Sequence, residues 1–259
     1  MNSKQKINPS LLLPVILVFL SMLACQASDL LSTPTPYPTY TPYPEIIVTP
    51  YPTYTPYPQP SLTPAPDVRY TEDFEGSSSC FEPYSDAVMN SQMSDGAYSV
   101  RITESNQGFL SICPGQTFID FTLEADIRLL EDTAGSAYFG VMFRETGGQY
   151  YSFILSTAPD GYPIYCVSYI GSNSYTPLTN STFDPGNCWS MVPAGVYDAQ
   201  TNRLRVSMEG EVMSIYLNDE ILTVVRDNLL SAGRIGIQAG TYDQPVLEAA
   251  YDNLRVTVP

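Results

Sequence analysis

Glu124 and Asp126 are the side chains in this sequence whose type and spacing come nearest to catalysis. They lie in the stretch 118–129, where Ile119, Phe121, Leu123, Ala125 and Ile127 alternate with Asp120, Thr122, Glu124, Asp126 and Arg128. A period of two is that of a half-buried strand, so both carboxylates fall on its polar face, ~7 Å apart. Glycoside hydrolysis uses paired carboxyls, ~5 Å apart in retaining enzymes, one as acid and one as nucleophile. A second chemistry is sugar recognition, which needs aromatic faces and a few polar groups in a shallow groove. Tyr150, Tyr151, Tyr169, Tyr175 and the sole tryptophan, Trp189, are the candidates. A third is a structural calcium ion. Glu72 and Asp73, taken to begin the first strand, would meet Asp252 and Asn253 in the last if those strands are neighbours, but no loop shows a defined ligand spacing.

Composition removes many alternatives. The chain has no histidine, and its only lysines are Lys4 and Lys6. Histidine-dependent nucleophiles and zinc sites are therefore excluded, as are a Schiff-base lysine and a phosphate-cradling loop lysine. Beyond the first 24 residues, nine arginines face 27 Asp and Glu, a balance of −18 that repels nucleic acid and anionic headgroups. What remains is carboxylate chemistry or binding without turnover, with no cofactor apart from the calcium ion.

The N-terminus reads as an export signal. Lys4 and Lys6 precede an apolar run from Leu11 to Leu23 that ends in Ser21-Met22-Leu23-Ala24-Cys25. The run is short for a membrane span of ~20 residues. It resembles the lipobox of bacterial lipoproteins, which implies cleavage after Ala24, lipid on the Cys25 thiol and a domain held outside the cell. An ordinary signal peptide or uncleaved anchor is the alternative. From 25 to 66 the chain is rich in Pro, Thr and Tyr, and the ten residues from Thr35 to Pro44 recur unchanged from Thr49 to Pro58. So much proline excludes helix and sheet, leaving an extended stalk. Four further cysteines, Cys80, Cys113, Cys166 and Cys188, suit disulfides in an exported domain. Three connectivities are open. Sequential pairing is expected, because each pair then brackets a single irregular segment. Asn180-Ser181-Thr182 matches a glycosylation sequon, a chance match if the lipobox reading holds.

Residues 67–259 suffice for one all-β domain, a two-sheet antiparallel sandwich of jelly-roll type. Phe139, Val141 and Phe143 alternate in one strand, Leu204, Val206 and Met208 in another, Met213, Ile215 and Leu217 in a third. Turn residues separate such strands at Thr146-Gly147-Gly148, Pro159-Asp160-Gly161, Glu209-Gly210 and Asn218-Asp219. Four segments, Tyr138–Arg144, Asn202–Val206, Gly233–Ile237 and Tyr251–Val256, occur in the order seen in concanavalin A-like and laminin G-like sandwiches. They look most like the 3-keto-disaccharide hydrolase domain and, more distantly, glycoside hydrolase family 16. The resemblance implies the fold. Family 16 enzymes carry a third carboxylate on the strand of the first two, but here Arg128 and Leu129 occupy its positions. Together these features predict a lipid-anchored, surface-displayed, non-catalytic module that binds carbohydrate or adheres. Its alternatives are a hydrolase using Glu124 or Asp126 and a structural envelope protein that binds another protein.

Overall fold

A computed structural model describes residues 67–259 apart from 77–78, 133–134, 136 and 181–185. Cys25, the signal segment and the Pro/Thr/Tyr-rich stretch lie outside the described residues, as do Ser181 and Thr182 of the sequon. The domain has a concanavalin A-like jelly-roll fold, with two antiparallel sheets and no helix among the described residues. Strands are numbered in chain order. The nine-stranded sheet runs β14 (Glu220–Arg226), β13 (Val212–Leu217), β12 (Asn202–Glu209), β6 (Phe121–Asp132), β16 (Leu247–Val258), β4 (Ala97–Ile102), β3 (Met89–Ser94) and β2 (Tyr84–Ser85). β1 (Asp67–Glu72) joins it beside β16. The seven-stranded sheet runs β10 (Tyr175–Pro177), β9 (Pro163–Ile170), β8 (Gln149–Thr157), β7 (Ala137–Thr146), β15 (Arg234–Thr241) and β5 (Gly108–Ile112). β11 (Ser190–Met191) also pairs with β9.

Alternation builds the core. Phe121, Leu123, Ala125 and Ile127 of β6 are buried, as are Phe139, Val141 and Phe143 of β7, and one continuous apolar cluster fills the space between the sheets. Each such large side chain contributes ~1.5–3 kcal/mol on burial. The expected turns form, and Asn218 and Asp219 both take positive φ, the geometry that suits a two-residue hairpin. β16 serves two partners along one edge, β4 against Leu247–Tyr251 and β1 against Leu254–Val258; between them Asn253 takes positive φ and the register against β6 on the other edge shifts.

Three local expectations need correction. Ile119 is 63% exposed and precedes the strand, which begins at Phe121. Its carbonyl accepts two bonds from the buried Arg144 guanidinium, which turns the backbone aside, and Phe118 packs inward in its place. Glu72 ends β1 and does not begin it. The disulfides are Cys80–Cys113 and Cys166–Cys188, as expected, but the first encloses β2 to β5 and not a single irregular segment.

Candidate functional site

On the seven-stranded sheet, register decides which residues face away from the core. Ile235, Ile237 and Ala239 of β15 point inward, so Gly236, Gln238 and Gly240 form the outer row. Gln238 lies opposite Gly140 of β7, Gly140 opposite Ile154 of β8, and Ile154 opposite Cys166 of β9. The neighbouring row carries Met142, Ser152 and Ser168. Gly140, Ser152 and Ser168 in these rows, with Gly240 beside them, leave a hollow. It forms a groove of about 600 Å³ floored by Ser152, Ile154, Ser168 and Gln238.

One wall is aromatic. The rings of Tyr138 and Tyr242 lie 5.2 Å apart, and Trp189 meets Tyr242 edge-on at 6.4 Å. Gly240 makes this possible, because a Cβ there would come within 2.3 Å of the Tyr138 ring. The other wall is set by the Cys166–Cys188 bridge, which ties the chain before β11 onto β9. Trp189 packs beside that disulfide and Ile154, and the Tyr175 hydroxyl lies 2.7 Å from the Cys188 sulfur. Burial pushes the phenols of Tyr138, Tyr150, Tyr175 and Tyr242 above their ordinary value, that of Tyr138 to about 12. They are neutral hydroxyls at physiological pH. None of the described residues lining the groove is charged.

The aromatic candidates divide. Tyr150, Tyr175 and Trp189 line the groove, whereas Tyr151 and Tyr169 face the core, where their rings meet edge-on at 6.0 Å. Adjacent strand residues point to opposite faces, so Tyr150 and Tyr151 cannot share one site. The Tyr151 hydroxyl donates to Asp227 and accepts from the Leu230 amide, a structural tie. Tyr138, Tyr242 and Gln238 escaped sequence reasoning. The signal for Gln238 was available in the Gly-x-Gln-x-Gly pattern on the outer face of a strand with a fully apolar inner face.

The carboxylate candidates lie elsewhere. Glu124 and Asp126 sit on the outer face of the nine-stranded sheet, with the core between them and the groove. Asp126 accepts from Arg203 Nε at 3.0 Å and from Asn253 Nδ2 at 2.9 Å, so both its oxygens are held in a cross-strand network. Glu124 pairs across the strands with Arg205 and Arg255 and opens, with Glu72 and Arg203, onto a smaller polar cleft of about 360 Å³. The expected meeting of first and last strands does occur, Glu72 pairing with Leu254. Yet Glu72 accepts from the Tyr70 hydroxyl and the Phe74 amide, Asp73 from the Glu75 amide, and Asp252 from the Asn253 amide. Among the described residues, no three acidic, histidine or cysteine side chains converge as a metal site.

No protein-family model and no curated protein matches the chain. Among solved structures it is similar to a β-glucanase from Bacillus licheniformis, with a TM-score of 0.51 and 11% identity over 74% of this chain and 98% of that one. It is also similar to a Bacillus subtilis protein of unknown function with a galectin-like fold, with a TM-score of 0.53 and 13% identity over 74% and 96% of the two chains. The carbohydrate-binding module CBM66 from Bacillus subtilis superposes less closely, with a TM-score of 0.44 and 18% identity over 68% and 91%. At such identities the likeness is one of fold, and activity has to be argued from the site.

Proposed function

We propose that this domain is a non-catalytic carbohydrate-binding module, displayed at the cell surface on a lipid-anchored stalk. The observation that carries the proposal is the groove itself, in which Tyr138, Tyr242 and Trp189 border a floor of two hydroxyls, one amide and the apolar Ile154. Apolar sugar faces stack on such rings while their hydroxyls find neutral donors and acceptors. Hydrolysis is the weaker reading, because the described groove residues include no carboxyl and Glu124 and Asp126 belong to the other sheet. No cofactor is assigned. The anchor rests on the Met22-Leu23-Ala24-Cys25 motif, and the spacer on the repeated Pro/Thr/Tyr segment that follows it.

A glycan-array screen of the purified protein, paired with an assay for reducing-sugar release on the same panel, tests the reading. Binding without release is expected. Release that disappears in Glu124→Gln would replace it with the hydrolase. Incorporation of labelled palmitate in a bacterial host, lost in Cys25→Ser, is the expected result for the anchor, and equal labelling of both proteins would remove it.

A further inference from the structure

We infer that the groove selects uncharged glycans and that Gln238 reads one of their hydroxyls, an inference that rests on the carbohydrate-binding reading above. Gln238 is only 3% exposed, yet it lines the groove. Its Nε2 donates to the Val141 carbonyl at 2.8 Å and to Ser152 Oγ at 2.7 Å, which uses both amide hydrogens. The Val141 carbonyl fixes the orientation, since a flipped amide would set oxygen against oxygen. Oε1 is then left without a protein donor among the described residues. It is not one of the sealed, unpartnered polar atoms, which among the described residues are Asp132 Oδ1 and Arg205 Nε. It therefore borders the groove, and Gly140 on the facing strand adds no side chain to cover it. An acceptor held in this way, buried and pre-oriented, calls for a hydroxyl donor and disfavours a ligand that lacks one at that point.

Charge sets the class. The described lining residues include no arginine to pair with a carboxylate or sulfate, and the chain around them carries 27 Asp and Glu against 11 Lys and Arg. An acidic sugar would be desolvated there without a partner and approach against a negative field.

Calorimetry on the full-length protein in detergent tests both parts, with size-matched neutral β-glucan, mannan and galactan oligosaccharides set against alginate and polygalacturonate oligosaccharides, at low and high salt. At least one neutral series binds, and the acidic ones bind about tenfold more weakly or not at all at either salt. An acidic oligosaccharide bound as tightly as the neutral ones would overturn the selectivity while leaving carbohydrate binding intact. No binding by any member would overturn the carbohydrate reading and this inference with it. Monodeoxy analogues of the tightest neutral oligosaccharide then address Gln238. Wild type loses about tenfold for one analogue, whereas Gln238→Met binds the parent sugar about tenfold more weakly and no longer distinguishes that analogue. Gln238→Asn supplies the same comparison if the Met variant does not fold. A uniform loss across parent and analogues would mean that Gln238 only braces the sheet, and would sink its assigned role.

Discussion

Tyr150 and Tyr151 are consecutive, and one lines the groove while the other belongs to the core. Their substitutions should therefore fail in different ways. Tyr151→Ala removes a fully buried ring together with its bonds to Asp227 and Leu230, and should cost ~3–5 kcal/mol of stability in denaturant titrations. Trp189→Ala should leave most of the stability in place and weaken sugar binding by ~1–3 kcal/mol, read by calorimetry. Glu124→Gln should change neither quantity, because the side chain is on the far sheet. The candidate list was thus half legible in the sequence. Residue type pointed to tyrosines and tryptophan, but strand parity, which decides the face, was legible only where alternation was clean. Around Tyr150 both faces carry apolar or aromatic residues, so parity gave no answer. The Gly-x-Gln-x-Gly pattern marks Gln238 as an outward amide between two residues without side chains, but its role as a held acceptor shows only in its hydrogen bonds.

At the scale of elements, β6, β12 and β13 were readable because one face of each meets the core and the other meets solvent. β7 was less so, with Gly140 and Met142 buried on its outer face as well. The walls of the groove depend on two devices that the strand pattern does not reveal. Gly240 admits the Tyr138 ring, so Gly240→Ala should displace the aromatic wall and lower affinity more than stability, seen as a weaker calorimetric signal with a nearly unchanged melting temperature. The Cys166–Cys188 bridge closes a 22-residue separation. Replacing both cysteines with alanine should cost on the order of 3 kcal/mol in the chain-entropy account and also release Trp189 and Tyr175 from their positions. Binding should fall in that double variant even at temperatures where the sandwich remains folded. Retained affinity would show that the bridge contributes to stability alone.

At the scale of the molecule, titration of the described domain above neutral pH is governed by tyrosine. The sequence has no histidine, and all four cysteines of the sandwich are tied in disulfides, so no side chain described here has an ordinary pKa near neutrality. Folding instead raises the phenol pKa of Tyr70, Tyr138, Tyr151, Tyr242 and Tyr251, with burial the largest cause in each case. For a group whose folded pKa is raised, the unfolded chain loses its proton first as pH climbs. Below the ordinary value of 10.0 both states are protonated and the stability associated with these groups is complete; above it the unfolded state binds fewer protons and stability falls. For Tyr138 that loss runs from 10.0 to about 12, and the other four extend it further into alkali. Stability and sugar affinity should therefore stay flat across roughly pH 6 to 9, since neither the fold nor the described groove residues change charge there. Equilibrium unfolding followed from neutral pH into alkali should show a cooperative collapse beginning above pH 10.0, and Tyr138→Phe, which removes one ionising phenol from the groove wall, should move that collapse to higher pH. A midpoint in the neutral range would mean that an ionising group outside the described residues controls the fold.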